Sequence, residues 1–402
     1  MIAGKKILYI DGAGPFGGAS RSLFEAVSCL KEKENVRPFF WVARGSSNKY
    51  YEKIAEDIIT APGMFRFDNT RYGYYRGVRW AVFLRELLHM PFTLSSFLKV
   101  KKRWVGVDLI HVNEITELIP GLLAKKIFKC PLIVHVRSVQ STKKNIRTKV
   151  INRILRNVDG VICIDETVAR SVDSGNKIVI HNSFTVNGDE KDGKIRDRIA
   201  DYAGLFRVGF VGNFQKMKGI VELIEAARIL KNKPNIKFLI VGDETEKKSA
   251  FRRFVEIVTG LSQDVKEHVF EIIKASGLES NVIFFGRTGD ISAAYENFDV
   301  LCFPSHLDAP GRPVFEAAFF KVPSIVCVKT PTRDTVIPDV TGLIIPEKNP
   351  EKLAEAIEFL ANDREKLQRM GAAAYELALE NFSPQKNVVK LAAFYQSVLG
   401  VV

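Results

Sequence analysis

Residues 304–317 read Pro-Ser-His-Leu-Asp-Ala-Pro-Gly-Arg-Pro-Val-Phe-Glu-Ala, a composition suited to holding an anion and hydroxyl groups side by side. An apolar run, 299–303, precedes the stretch. A helical segment, 314–321, overlaps its end and is closed by Val322-Pro323 and a second apolar run, 324–328. Strand, glycine loop and helix in that order present backbone N–H groups and the positive end of a helix to an anionic ligand. Asp308 and Glu316 bracket Gly311-Arg312-Pro313, and carboxylates beside an anion are costly. Their natural partners are hydrogen-bond donors, so ribose or sugar hydroxyls are expected. With Asp308 before the loop and Glu316 in the first helical turn, both can face one pocket.

Other loops carry compatible chemistry. Gly212-Asn213-Phe214-Gln215-Lys216-Met217-Lys218-Gly219 follows an apolar run and precedes an amphipathic segment. Lys218 there is either a solvated turn lysine or a cation reaching a diphosphate at the helix N-terminus. Gly12-Ala13-Gly14-Pro15-Phe16-Gly17 matches the dinucleotide fingerprint G-x-G-x-x-G directly after the first strand. The fingerprint expects an acid at the end of the second strand. The chain has Arg44 there, which suits the extra phosphate of NADP and keeps an oxidoreductase reading open. Alternatively the glycines only allow a tight turn. The preferred reading is that Gly17-Gly18 lets the loop approach a phosphate held mainly by the other half of the chain. His135 closes an apolar strand and is followed by Arg137-Ser138, a position able to touch substrate. His111 is a weaker candidate, and His306 is read as packing within its loop. No Asp-x-Asp, G-x-x-x-x-G-K-[ST], G-x-S-x-G or paired Cys/His spacing occurs, so no catalytic metal is expected.

Those loops need two sheets to carry them. The length of 402 residues suits two domains. Short Val/Ile/Leu runs alternate with amphipathic segments in both halves, the pattern of α/β, doubly wound parallel sheets buried on both faces. The expected organisation is a Rossmann-like domain at 1–185, a linker at 186–204, a second Rossmann-like domain at 205–382 and a final helix at 383–402. Ligands then bind in the cleft between the domains, at their strand ends. The region between the second strand and residue 109 reads as irregular, and residues 248–275 as one long helical stretch. The five cysteines are scattered and read as reduced thiols, no segment reaches membrane-spanning length, and the N-terminus has no signal-peptide core, so a cytoplasmic chain is expected.

Charge is unevenly spread. Residues 1–185 carry 30 Lys and Arg against 16 Asp and Glu, whereas residues 186–402 carry 29 against 30. Residues 71–104 hold eight basic residues and one acid among many aromatics, and residues 118–158 hold ten basic residues and no acid. A polyanionic neighbour is expected. Nucleic acid is not, because no recognised binding module accompanies the charge.

Taken together, the Asp308-(seven)-Glu316 pair, Lys218-Gly219, Gly17-Gly18, His135 and Ile180-His181-Asn182-Ser183 resemble the retaining glycosyltransferases of the GT-B fold, family 4, over nearly the whole chain. Asp308 replaces the commoner Glu, and Asn213 stands where the family has an Arg five residues before the lysine. The resemblance implies transfer of a glycosyl group from a nucleotide-diphosphate sugar to an acceptor hydroxyl, with retention and without metal or other cofactor. It implies that Glu316 holds the ribose, Asp308 and His135 the donor sugar, and Lys218 the diphosphate. Gly17, Gly18, Asn213 and the backbone of Gly311-Arg312-Pro313 complete the donor site, and Arg312 or a cation of the first domain is expected to compensate for Asn213. The final helix is expected to cross back to the first domain, which would bind a glycan or lipid-linked acceptor. Its basic surface would then dock on anionic lipid, making a peripheral protein of the inner membrane face. A degenerate, binding-only relative is the alternative.

Overall fold

Runs of Val, Ile, Leu and Phe without polar alternation are stable only when both faces of the sheet are covered, and the chain builds two such parallel sheets. The computed structural model describes residues 2–73, 75–77, 79–186, 193–242 and 265–401, excepting the side chains of residues 193 and 194. The first sheet comprises β1 (Lys6–Asp11), β2 (Arg37–Ala43), β3 (Asp57–Ala61), β4 (Leu109–Val112), β5 (Leu132–Val136), β6 (Gly160–Cys163) and β7 (Lys177–Val179). Their order is β3-β2-β1-β4-β5-β6-β7. The second comprises β8 (Phe206–Val211), β9 (Ile236–Val241), β10 (Val282–Gly286), β11 (Val300–Phe303), β12 (Ser324–Val326) and β13 (Gly342–Ile344), in the order β10-β9-β8-β11-β12-β13. The order reverses between β1 and β4 in the first sheet and between β8 and β11 in the second. Crevices open outside the carboxyl ends of the strands at such points.

Alternate residues of β1 serve different cores. Leu8 and Ile10 join Trp41 and Val134 on one face, while Ile7 and Tyr9 join Phe40 and Leu109 on the other. The second face is closed by helix Gly18–Glu34 and by the final helix, Pro384–Leu399, through Val388, Leu391 and Tyr395. Residues 382–402 therefore belong with residues 1–184 in one compact unit, and residues 185–381 form the other. Gly160 on β6 permits this closure, since a Cβ there would lie 2.6 Å from the Phe394 ring.

Three stretches differ from expectation. The supposedly irregular region holds edge strand β3 and helices Arg79–Leu88 and Met90–Arg103. The helices expose Trp80, Leu84, Leu88, Phe92, Leu94 and Leu98 as well as burying Phe97 and Val100, so apolar residues lie all round and no single inward stripe marks them. Within the supposed linker, helix Gly193–Ala200 sends Ile195 and Ile199 into the second core. The rest of that linker up to residue 192, after 186, lies outside the described residues. Of the long stretch at 248–275, helix Lys266–Ser276 is described and residues up to 264 are not.

The Gly160 contact has a direct test. Gly160→Val should destabilise the first unit by about 1–3 kcal/mol in urea unfolding, because the β6–helix spacing leaves no room. Phe394→Ala placed in that variant should recover part of the loss, whereas two additive losses would deny the contact.

Candidate functional site

In the second unit, the turn after β8 and the loop after β11 leave the carboxyl ends of neighbouring strands. Gly219 makes their approach possible. Its φ is +76°, and a Cβ would fall 2.0 Å from the Pro304 carbonyl oxygen, so no other residue fits without parting the loops. Hydrogen bonds complete the joint. The Met217 carbonyl accepts from the His306 backbone N–H and the Ser305 hydroxyl, each at 3.0 Å. His306 Nε2 lies 2.8 Å from a Glu222 carboxylate oxygen, so this histidine ties the loop to helix Ile220–Ile229.

Phe303, the last residue of β11, is a shared floor. The Lys218 Nζ stands 5.1 Å from its ring centroid, and a Cβ on Gly311, at φ +80°, would lie 2.7 Å from the ring. Lys218 is half-buried, and desolvation lowers the pKa of its ammonium. No described carboxylate pairs with it. An ammonium stripped of water over an aromatic face, without a counter-ion, is poised for an anion.

The acids are arranged differently from expectation. The helix runs Arg312–Ala318 with Pro313 as its second residue, so it begins two residues early. Glu316 consequently lies in its second turn rather than its first. It is buried, accepts a 2.8 Å hydrogen bond from the Tyr295 hydroxyl and pairs with the Arg312 guanidinium one turn back. Arg312, expected to support the diphosphate, is thus engaged by Glu316. Asp308 is also buried, and one of its oxygens accepts from the Lys329 backbone N–H at 3.0 Å. The structure joins Lys218, Phe303 and Gly311 directly. The carboxylates of Asp308 and Glu316 are fixed by separate partners. Asn213 is exposed on its turn.

In the first unit, Gly17 and Gly18 open helix Gly18–Glu34, and a Cβ on either meets nothing within 4 Å. They are open and exposed, so an approaching ligand would meet bare backbone. Gly14 and Gly45 instead serve packing: a Cβ on Gly45 would lie 2.1 Å from the Gly14 carbonyl. Arg44 is exposed at this turn.

His135 on β5 is buried and belongs to a polar chain that spacing alone did not reveal. Arg137 Nη2 and His111 Nε2 each lie 3.3 Å from its Nδ1, and His111 Nδ1 meets the Tyr395 hydroxyl from the final helix. A guanidinium only donates, so Nδ1 of His135 accepts and its proton sits on Nε2. That Nε2–H is buried and has no partner among the described residues. Arg137 is the hub. It also donates to the Asn113 carbonyl and side-chain oxygens, both at 2.9 Å, and to Asn182 at 2.6 Å. Burial, then Arg137, pushes His111 down to about 3, and the same causes plus His111 hold His135 well below its usual value. Glu114 beside them is pushed up to about 7 by burial despite the Arg137 backbone bond. His111, His135, Arg137, Asn182 and Tyr395 line one cavity of this unit. Arg137 and Tyr395 were legible only as a cation after a strand and a residue of the last helix.

Two family models match the chain: "Glycosyltransferase Family 4" over residues 16–184 and "Glycosyl transferases group 1" over residues 192–377. The chain belongs to the family 4 glycosyltransferases. Its fold is the GT-B fold. The chain aligns with Anabaena HepE in complex with UDP at a TM-score of 0.75 and 20% identity, covering 98% of this chain and 100% of that one. The capsular polysaccharide biosynthesis glycosyltransferase CapM of Staphylococcus aureus is 30% identical over 48% of this chain and 47% of its own. The chain spans about half the length of this relative and of spore coat protein SA of Bacillus subtilis. A longer match, 25% identical over 89% of both chains, is to the GalNAc-alpha-(1->4)-GalNAc-alpha-(1->3)-diNAcBac-PP-undecaprenol alpha-1,4-N-acetyl-D-galactosaminyltransferase of Campylobacter jejuni. This membership sets the oxidoreductase reading of the first glycine loop aside.

The neutral histidines carry a sign that can be checked. His111 titrates near 3 when folded but near its ordinary 6.5 when unfolded, so the unfolded chain takes up the proton first on acidification. Its contribution is therefore complete above about pH 6.5 and is lost as pH falls towards 3. His111→Gln should lose less stability than the parent between about pH 7 and about pH 4 in urea titrations. Equal losses would deny that His111 is buried neutral.

Proposed function

We propose that this family 4 chain transfers a glycosyl group from a nucleotide-diphosphate sugar to an acceptor hydroxyl, with retention of configuration and without a metal, in surface polysaccharide or glycolipid synthesis. The observation that carries the reading is Lys218: a desolvated ammonium with no described carboxylate partner, held over Phe303 beside the Gly311 loop. The hardest charge in such a reaction is the leaving diphosphate. A preorganised cation in a low-dielectric site stabilises it without reorganising during the reaction.

The other residues take roles around that cation. Glu316, its charge moderated by Arg312 and its geometry set by Tyr295, accepts hydrogen bonds from the ribose. Asp308 accepts from the donor sugar with its carboxylate anchored on Lys329. In the first unit, the Nε2–H of His135 donates to a substrate oxygen, and the open backbone at Gly17-Gly18 admits phosphate. No residue here is assigned as a covalent nucleophile, so the acceptor attacks on the face the diphosphate leaves. Its proton passes to the departing phosphate oxygen, which becomes the product nucleoside diphosphate. A glycan or lipid-linked acceptor is favoured by the capsular and undecaprenol-linked activities in the relatives' names.

A thermal-shift panel of UDP, GDP and ADP with their sugars tests the donor site, UDP first because HepE complexes contain UDP and UDP-glucose. A nucleotide at a hundred times its dissociation constant should stabilise the chain by roughly 2.7 kcal/mol. Lys218→Ala and Glu316→Ala should each abolish most of that shift, and an unchanged shift in both would overturn the assignment. The engagement of Asp308 by Lys329 favours one second reading, a relative that binds nucleotide without transfer. Release of nucleoside diphosphate from a stabilising sugar nucleotide, unaffected by EDTA, excludes that reading; binding with no release establishes it.

A further inference from the structure

Helices Arg79–Leu88 and Met90–Arg103 keep much of their apolar surface outside. On the first, Trp80, Leu84, Leu87 and Leu88 face solvent, with Leu84 63% and Leu88 71% exposed, while the one carboxylate, Glu86, is 2% exposed. Arg85, Arg66 and His89 surround that buried acid. The second helix is apolar on both sides, with Phe97 and Val100 buried in the core of the first unit. Phe92, Leu94 and Leu98 point outward, whereas Thr93 and Ser96 point inward and accept hydrogen bonds from the Phe65 N–H and the Trp41 indole. Polar groups together with Phe97 and Val100 thus fix the pair to the first unit, and a second apolar surface is left outside. Isolated exposed leucines mean little, but a contiguous face of this kind marks an interaction surface.

Charge says what covers it. Residues 71–104 carry eight cations, and their single acid is the one turned inward. Lys99, Lys101 and Lys102 are exposed at the end of the second helix. The same chemistry continues next door. Arg147 donates to the Tyr75 carbonyl and Tyr75 stacks on Trp80, which brings up helix Ile146–Asn157 with its exposed Ile146, Val150 and Lys149. A second copy of this chain would meet its own positive charge. An anionic bilayer complements both features, because its acyl boundary takes leucine and tryptophan while its phosphates take lysine. Neither helix is long and apolar enough to cross a membrane, and no described helix is.

We propose that these two helices lie in the surface of an anionic lipid bilayer, with Trp80, Leu84, Leu88 and Leu98 in the acyl–headgroup boundary and the lysines on headgroup phosphates. The lipid-linked acceptor of the transferase reading gives this contact a purpose, and the contact itself requires no turnover.

Flotation with phosphatidylglycerol-containing and pure phosphatidylcholine vesicles tests it on the full chain. The protein should float with the anionic vesicles at low salt. Its tryptophan emission should shift to the blue, because Trp80 is exposed while Trp41 and Trp104 are buried. The surface variant Leu84→Ser/Leu88→Ser, with an unchanged circular dichroism spectrum, should bind at least about tenfold more weakly. Each of Lys99→Gln, Lys101→Gln and Lys102→Gln should weaken binding by roughly fivefold. No flotation by folded protein overturns the proposal. So does binding that the leucine variant leaves intact, or dimerisation abolished by that variant in the absence of any lipid affinity. The nucleotide thermal shift of the same samples separates the two readings: if it survives while flotation fails, only the membrane contact is lost.

Discussion

The carbonyl of Pro304 occupies the space that a side chain at position 219 would need, and the placement of Lys218 over Phe303 depends on that contact. Two loops from neighbouring strands can come this close only if one offers a residue without a Cβ in a left-handed conformation. Once they touch, the Met217 carbonyl, the Ser305 hydroxyl and the His306–Glu222 pair lock them together. Lys218 is then carried over Phe303 and held there, away from carboxylates that would neutralise it. The site's positive potential is a consequence of backbone packing.

The first unit applies a different constraint. Its sheet is covered on both faces, so a polar group entering the core without a partner inside it is costly. Arg137 supplies partners for the side-chain oxygens of Asn113 and Asn182 and for Nδ1 of His135 at once, and Tyr395 supplies one for Nδ1 of His111 from the far end of the chain. Desolvation and the guanidinium keep both imidazoles neutral. Neutrality makes the His135 Nε2–H a donor of defined direction, a property no isolated histidine would have. The final helix therefore helps fix the tautomer of His135 as well as covering the sheet.

Much of this was readable in advance. The alternation of short apolar runs with amphipathic segments in both halves corresponds to the two parallel sheets, and the apolar run 299–303 ends in β11, Val300–Phe303. The glycine positions and Lys218 stood out because turns at strand ends demand particular residue types. What was not readable arose where periodicity reports the wrong thing. Helices Arg79–Leu88 and Met90–Arg103 hid because apolar residues lie on their outer as well as their inner sides. The helix inside the supposed linker hid behind a polar average that two buried isoleucines outweigh. Glu316 moved by a turn because Pro313, compatible with the first turn, let the helix begin earlier than the apolar pattern.

By itself, then, the sequence determined two doubly wound α/β halves, the glycine and lysine turns at their strand ends, the acid pair and the lopsided charge. These follow from local rules: apolar period, backbone freedom at glycine, and counted charge. Only the tertiary structure decided who faces whom. It turned Arg312 onto Glu316, Asp308 onto Lys329, and Tyr395 through His111 onto His135, and it turned Glu86 inward while Leu84 and Leu88 stayed outside. Partnerships of that kind join residues through packing and exclusion of water, and neither leaves a mark on spacing along the chain.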